Sequence, residues 1–261
     1  MYTLITGTTS GIGRELTKIF AKNGYNLIII DKYSEKLKEQ KEYLEKKYNI
    51  LVKFIVKDLS KENSSKEIYN EVKKENINID ILINNAGFGT FGNYIDIDFN
   101  KNKDLIMVNV YTIMELSYLF GKDMAKRKKG KIVNISSIAS FLSGPYMATY
   151  YASKAFVRSF SESLCEELKK HNVKVITICP GPTKTNFEEK ADMKGSYMFK
   201  LLKVDSAYTV ARKSYKAIIK NKPVYVVGFI NKLFTFLTRF LSLKISRKIA
   251  MIINKGDINI N

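Results

Sequence analysis

The chain has 261 residues, 45% of them hydrophobic and 26% charged, with one His and two Cys. That supports one large domain or two small ones with a buried core, and it leaves zinc sites and Ser-His catalysis poorly supported. The formal net charge of +19 is either a general excess of lysine, the favoured reading, or an attraction for an anionic partner such as phosphate, nucleic acid or acidic lipid, of which no nucleic-acid partner is expected.

Met1–Ile5 runs straight into the first predicted strand, Tyr2–Thr6, so no signal peptide is expected. No uninterrupted apolar run of about 18 residues marks a spanning helix. Cys165 and Cys179 lie in apolar runs without a C-x-x-C pair, as free thiols of a cytoplasmic protein would. After the first strand come Gly7-Thr8-Thr9-Ser10-Gly11-Ile12-Gly13 and a helical pattern over Arg14–Asn23. Strand, glycine loop and helix together aim backbone N–H groups and a helix N-terminus at a phosphate. Asn26–Ile30 is the second strand. Asp31 stands at its tip, 18 residues past Gly13, where a carboxylate can accept hydrogen bonds from a ribose diol. Lys32 follows, and a basic residue there could instead meet a 2′-phosphate.

Ser34–Tyr48 is a charged helix, Leu51–Val56 the third strand with Asp58-Leu59 just beyond, and Lys61–Asn76 a polar helix. The fourth strand, Asp80–Ile83, runs into Asn84-Asn85-Ala86-Gly87, small residues that suit the close approach of a ligand. Phe88–Asp98 is a loop, and Asn100–Lys128 is expected as one long helix in which Asn109 bends or opens the ladder, or else faces solvent. Lys131–Ile135 is a fifth strand, apolar beyond Lys131 except for Asn134, ending at Ser136-Ser137. A loop with Gly144 and Pro145 leads to a helix over Thr149–Lys170. On that helix Tyr150 and Lys154 are four apart and share a face, so the ammonium is expected to lower the phenol pKa from about 10 toward working pH. A hydroxyl at the strand end can hydrogen-bond the oxygen that the tyrosine protonates, which is equipment for acid–base work on a carbonyl or an alcohol.

His171 is expected at the surface, at that helix's end. Val173–Cys179 is the sixth strand, followed by the rigid turn Pro180-Gly181-Pro182-Thr183-Lys184-Thr185. Asn186–Leu202 is irregular, the kind of segment that covers a ligand. Asp205–Lys220 is helical, Pro223–Val227 a seventh strand at a sheet edge, and Gly256–Asn261 a loose tail. Strands alternating with helices predict an α/β doubly wound Rossmann fold, about seven parallel strands with helices on both faces.

Taken together, T-G-x-x-x-G-I-G at Thr6–Gly13, N-N-A-G at Asn84–Gly87, Asn109, Ser137 thirteen residues before Tyr150, Y-x-x-x-K at Tyr150–Lys154 and P-G-P-T at Pro180–Thr183 resemble the short-chain dehydrogenase/reductase family over about residues 1–227. The resemblance implies an NAD(P)-dependent oxidoreductase interconverting a ketone and a secondary alcohol, with Tyr150 as acid or base. Lys154 would lower the pKa of Tyr150 and hold the nicotinamide ribose. Ser137 would bind the substrate oxygen, and Asn109 would help position a proton-relaying water. It implies a cofactor cradle of Gly7, Thr9, Ser10, Gly11, Ile12, Gly13, Asp31, Lys32, Asp58, Leu59, Asn85, Ala86, Gly87, Tyr150, Lys154, Pro180, Gly181, Thr183 and Thr185, with no metal. Tyr151 departs from the pattern, where a small residue is usual, and its bulk is expected to shape the pocket. NNAGFGTFG, the PYMATYYASKAF run and CPGPTKTNF resemble bacterial reductases of unassigned substrate, and also steroid and long-chain 3-ketoacyl reductases, which implies an apolar, lipid-like substrate. The carboxylate of Asp31 would repel a 2′-phosphate, so NAD is favoured over NADP. A homodimer or homotetramer is expected. A catalytically silent nucleotide-binding regulator and a sugar-nucleotide epimerase or dehydratase are the competing readings; the proton-transfer set argues against the first and the short C-terminal part against the second.

Beyond the domain of residues 1–227, residues 228–261 form a basic amphipathic extension. Within Val224–Lys255 six cations and no acid interleave with Leu233, Phe234, Phe236, Leu237, Phe240, Leu241, Leu243 and Ile245. Such a segment either packs on the domain or a second copy, or lies peripherally on a membrane surface.

Overall fold

The computed structural model describes residues 1–187, 191 and 204–255. Its centre is a seven-stranded parallel sheet in the order β3-β2-β1-β4-β5-β6-β9. The strands are β1 (Tyr2–Thr6), β2 (Asn26–Asp31), β3 (Val52–Val56), β4 (Ile79–Asn84), β5 (Gly130–Ile135), β6 (Val173–Cys179) and β9 (Val224–Val226). The inner strands are near-continuous apolar runs because both of their faces are covered. Alternate residues go to opposite sides. Ile5 and Ile29 join Leu16, Phe20 and Leu37 of α1 (Gly11–Lys22) and α2 (Ser34–Tyr48), with Val210 and Ile218 of α7 (Ala207–Ile219). Leu4, Ile28 and Ile30 meet Ile68 and Val72 of α3 (Ser64–Lys74), Leu116 and Phe120 of α5 (Thr112–Lys126), and Leu164 of α6 (Ala148–Lys169).

The chain leaves β1 for β2 and β3, then returns past β1 to β4. This reversal opens a crevice at the carboxyl ends of β1 and β4, where doubly wound sheets receive their ligands. The glycine loop after β1 and the Asn85–Gly87 turn after β4 both lie there.

Several expected boundaries shift for local reasons. The first helix begins at Gly11 rather than Arg14. The third begins at Ser64 rather than Lys61, because Asn63 is left-handed (φ 62°) and interrupts it. The long helix expected over Asn100–Lys128 is α4 (Phe99–Ile106), a π-turn over Met107–Tyr111, and α5. Asn109 sits in that π-turn, a single-turn irregularity of the kind that often marks a functional site. Asp205–Ser206 is a short strand, β8, paired with β7 (Thr183–Lys184), before α7 begins. Of the stretch Asn186–Leu202, only Asn186, Phe187 and Ala191 are described, and Gly256–Asn261 lies outside the described residues. The C-terminal part is two helices, α8 (Phe229–Leu237) and α9 (Leu243–Lys255).

Candidate active site

A cavity of about 740 Å³ runs along the carboxyl edge of the sheet, within the size range of small-molecule sites. Gly7, Ser10, Gly11, Ile12, Asp31, Lys32, Asp58, Leu59, Asn85, Ala86, Gly87, Ser137, Tyr150, Lys154, Pro180, Thr183 and Thr185 all line it. Thr9, Gly13, Asn109 and Gly181 stand behind this wall. Thr9 donates to the carboxylate of Asp31 from both N–H (3.0 Å) and hydroxyl (2.8 Å). A Cβ on Gly13 would lie 2.1 Å from the Gly7 carbonyl oxygen, so only glycine lets α1 close on the loop. A Cβ on Gly181 would strike Asn231 of α8 at 2.4 Å.

The floor of the cavity is tied to the sheet by Asn85. Its Nδ2 donates to the carbonyls of Thr6 (2.9 Å) and Gly7 (3.1 Å), while Thr6 Oγ1 accepts from the N–H groups of Asn85 and Ala86. Asn109, fully buried, grips the next residue: Phe88 N–H donates to its Oδ1 (3.1 Å), and its Nδ2 donates to Phe88 O (2.9 Å) and Ser153 Oγ (3.2 Å). Gly87 sits between Asn109 and Lys154; a Cβ there would come within 3.2 Å of the lysine Nζ.

At the far end, the two serines after β5 divide. Ser136 Oγ donates to the Lys154 carbonyl (2.8 Å) and pins α6. Ser137 Oγ accepts from Ala139 N–H (3.1 Å) and lines the cavity wall together with Tyr150. Lys154 is 4% exposed and donates to Ile135 O (3.1 Å). The expected lowering of the Tyr150 pKa is corrected here. Burial pushes the phenol up to about 12, against a smaller downward pull from Ser137. Burial also brings Lys154 down to about 8. Desolvation of both groups outweighs their proximity, with the Nζ 5.8 Å from the Tyr150 ring centroid.

At the other end, Asp31 Oδ1 also accepts from Lys32 N–H (2.8 Å). Three bonds of about four available lone-pair sites are used, so the carboxylate keeps capacity toward the cavity. Burial raises the Asp58 pKa, but hydrogen bonds from Ser60 and the nearby Lys32 and Lys61 pull it below the ordinary value. Among the described residues no cluster of three His, Cys, Asp or Glu could hold a metal.

Two features of the site have only faint sequence signals. A buried chain runs from Asn84 Nδ2 to Asn134 Oδ1 (2.8 Å) and from Asn134 Nδ2 to Ser161 Oγ (2.8 Å), tying β4, β5 and α6 together. Asn134, the one buried polar residue in its strand, was the available clue. The second is Tyr151, whose phenol donates to Asn254 Oδ1 of α9 (3.0 Å), while Asn254 Nδ2 donates to Pro145 O (2.9 Å). Its ring fills the space a Cβ on Gly144 would need. Residues more than a hundred positions apart meet here, and nothing local announces it.

The family described as short chain dehydrogenase matches residues 2–195. A 7beta-hydroxysteroid dehydrogenase of Mediterraneibacter gnavus is 32% identical over 182 residues, 70% of this chain and 68% of that protein. A very-long-chain 3-oxoacyl-CoA reductase of Rattus norvegicus is 34% identical over 186 residues, 69% of this chain and 58% of that one. Among solved structures, a short-chain dehydrogenase from Sphingobium yanoikuyae in complex with NADPH superposes with a TM-score of 0.82 at 24% identity, covering 92% of this chain and 93% of that one; this likeness speaks for the fold.

Proposed function

The chain belongs to the short-chain dehydrogenase/reductase family and is an NAD(P)-dependent oxidoreductase of ketones and secondary alcohols, and from that premise we propose that Asn109, Ser137, Tyr150 and Lys154 act on a small apolar, lipid-like substrate with NAD preferred. The observation that carries this reading is the single cavity joining the glycine loop to the Ser137–Tyr150 pair. The residues present fit a nicotinamide dinucleotide. Glycines stand wherever a Cβ would close the cradle, the N-terminus of α1 faces the cavity, and Asp31 retains an acceptor at its rim. When bound, the cofactor supplies or accepts the hydride.

The chain's own groups do the rest. Tyr150, protonated throughout the neutral range, donates its phenolic proton to the oxygen of a carbonyl being reduced, and takes it back in oxidation. Ser137 Oγ holds that oxygen. Lys154, with its pKa near 8, exchanges a proton at working pH and can restore the one Tyr150 gives up. Asn109 holds the Phe88 backbone, and so fixes Gly87 beside Lys154. A silent regulator or a sugar-nucleotide epimerase is not favoured by these relatives.

The remaining parts of the proposal follow from the surface. Residues 1–227 form the catalytic domain and residues 228–261 the extension. Met114 and Tyr118 on α5 and Phe156 on α6 are exposed apolar side chains that offer a homodimer or homotetramer contact. No described helix is long and apolar enough to cross a membrane. A cytoplasmic location, with the extension as a peripheral contact, is part of the proposal.

The test is nicotinamide fluorescence with NADH and NADPH, followed by a carbonyl screen that includes steroid and long-chain ketones. NADH should bind more tightly. Asp31→Ala should narrow or reverse the preference, by roughly tenfold for one lost charge-assisted hydrogen bond. Wild type favouring NADPH would overturn the assignment and make Lys32 the dominant contact.

A further inference from the structure

The helix pair α8 and α9 is built inside out. A helix lying on a water-soluble domain turns its apolar stripe inward. On α8 the buried side chain is Thr235, while Phe229, Leu233 and Phe236 stand 82, 49 and 54% exposed. On α9 the buried positions are Ser246, Ala250 and Asn254, spaced by four and therefore one stripe. Leu243, Ile245 and Ile252 face outward at 78, 50 and 58%. Lys232, Arg239, Lys244, Arg247 and Lys248 are exposed among them, with no acid between positions 224 and 255. The polar inner stripe is occupied: Asn254 takes the Tyr151 phenol and reaches Pro145 O. Asn254 thus fastens α9 to the domain, and most of the bulky apolar side chains of the pair are turned away from it.

We propose that the outward face of α8 and α9 docks on an anionic lipid surface, and that the substrate is a carbonyl or alcohol lipid drawn from it. Charge selects this occupant. A two-fold contact with a second copy would set this all-cation face against itself, with no carboxylate to answer any lysine or arginine, whereas anionic headgroups meet the cations while acyl chains take the apolar side chains. The docking face also adjoins the chemistry. A small cavity of about 60 Å³ is lined by Ser137 and Tyr150 on one side and by Phe234, Ala250 and Ile253 of the helix pair on the other. The wall that meets the lipid is therefore also a wall of the reacting site. Only the substrate clause rests on the reductase reading; the docking clause does not.

The experiment sediments the full-length protein with vesicles of phosphatidylcholine alone, or of phosphatidylcholine mixed equally with phosphatidylglycerol. Binding should be at least about tenfold stronger to the mixed vesicles and should weaken in high salt, since each basic side chain near an anionic surface contributes roughly fivefold. Phe236→Ser with Phe240→Ser, and separately Lys244→Glu with Arg247→Glu, should each lower it about tenfold or more. These side chains are exposed and lie outside both cavities, so melting temperature and NADH binding should not change. Equal binding to both vesicles, or none to either, overturns the docking surface. So does dissociation of a dimer by the Phe236→Ser, Phe240→Ser variant in sedimentation velocity, which would make the face a contact between copies. Vesicle binding without turnover of any lipid ketone would uphold the docking clause and sink the reductase reading of the substrate.

Discussion

Tyr43–Lys47 on α2 and Tyr150–Lys154 on α6 have the same spacing and opposite chemistry. At the surface, Lys47 Nζ donates to Tyr43 Oη at 2.7 Å, and the phenol pKa falls. In the cavity wall burial dominates: the Tyr150 phenol is pushed up to about 12 and the Lys154 ammonium down to about 8. Tyr69–Lys73 and Tyr118–Lys122 repeat the spacing on α3 and α5. The difference teaches that four-residue spacing supplies only adjacency. What makes one pair a candidate proton donor is desolvation, a serine at a strand end, and an open cavity.

The sharpest way to break this comparison is to remove the phenols. Tyr150→Phe should cut turnover about a thousandfold, within the usual range for a lost general acid, while NADH binding stays near wild type by fluorescence titration. Tyr43→Phe and Tyr118→Phe should leave turnover nearly unchanged. Equal losses at Tyr43 and Tyr150 would mean that the α6 pair is not special.

The lysines sharpen it next. Because the folded pKa of Lys154 is depressed, the folded state holds fewer protons than the unfolded chain between about pH 8 and about pH 10.4, so its stability contribution is full above that window and is lost as pH falls through it. Lys154→Met should therefore abolish turnover yet raise stability at pH 7, on the order of 2 kcal/mol, and the gain should shrink in urea melts as pH rises past 8. A constant difference across pH would show that the ammonium is not desolvated. Lys47→Met should shift neither the activity nor the pH dependence of the melt.

Tyr151 tests how far the neighbourhood, rather than the pair, matters. Tyr151→Phe leaves Asn254 Oδ1 buried without its donor, at a cost of roughly 1–3 kcal/mol that should appear as a lower melting temperature. Turnover of the folded protein should remain within several-fold, because Tyr151 is not the proton donor. A loss as large as that of Tyr150→Phe would put the register of the site in error.

Much of this molecule was legible in one dimension. Short runs rich in branched apolar residues, such as those in Asn26–Ile30 and Val173–Cys179, read as strands buried on both faces, and their alternation with helices points to a parallel sheet, because these patterns depend on local periodicity and on what water excludes. The glycine loop, Asn85–Gly87, Ser137 and the Tyr150–Lys154 pair were readable for the same reason, since each lies at a strand end or along a helix, where neighbours in sequence are neighbours in space. Tertiary structure decided the rest. It gave the Ser136 hydroxyl to the α6 backbone and kept Ser137 on the cavity wall, turned Asn109 onto Phe88, joined Tyr151 to Asn254 across the chain, and set α9 with the small or polar Ser246, Ala250 and Asn254 inward. It also reversed the expected direction of the Tyr150 shift, because desolvation depends on everything packed around a group, and a sequence lists only what is bonded beside it.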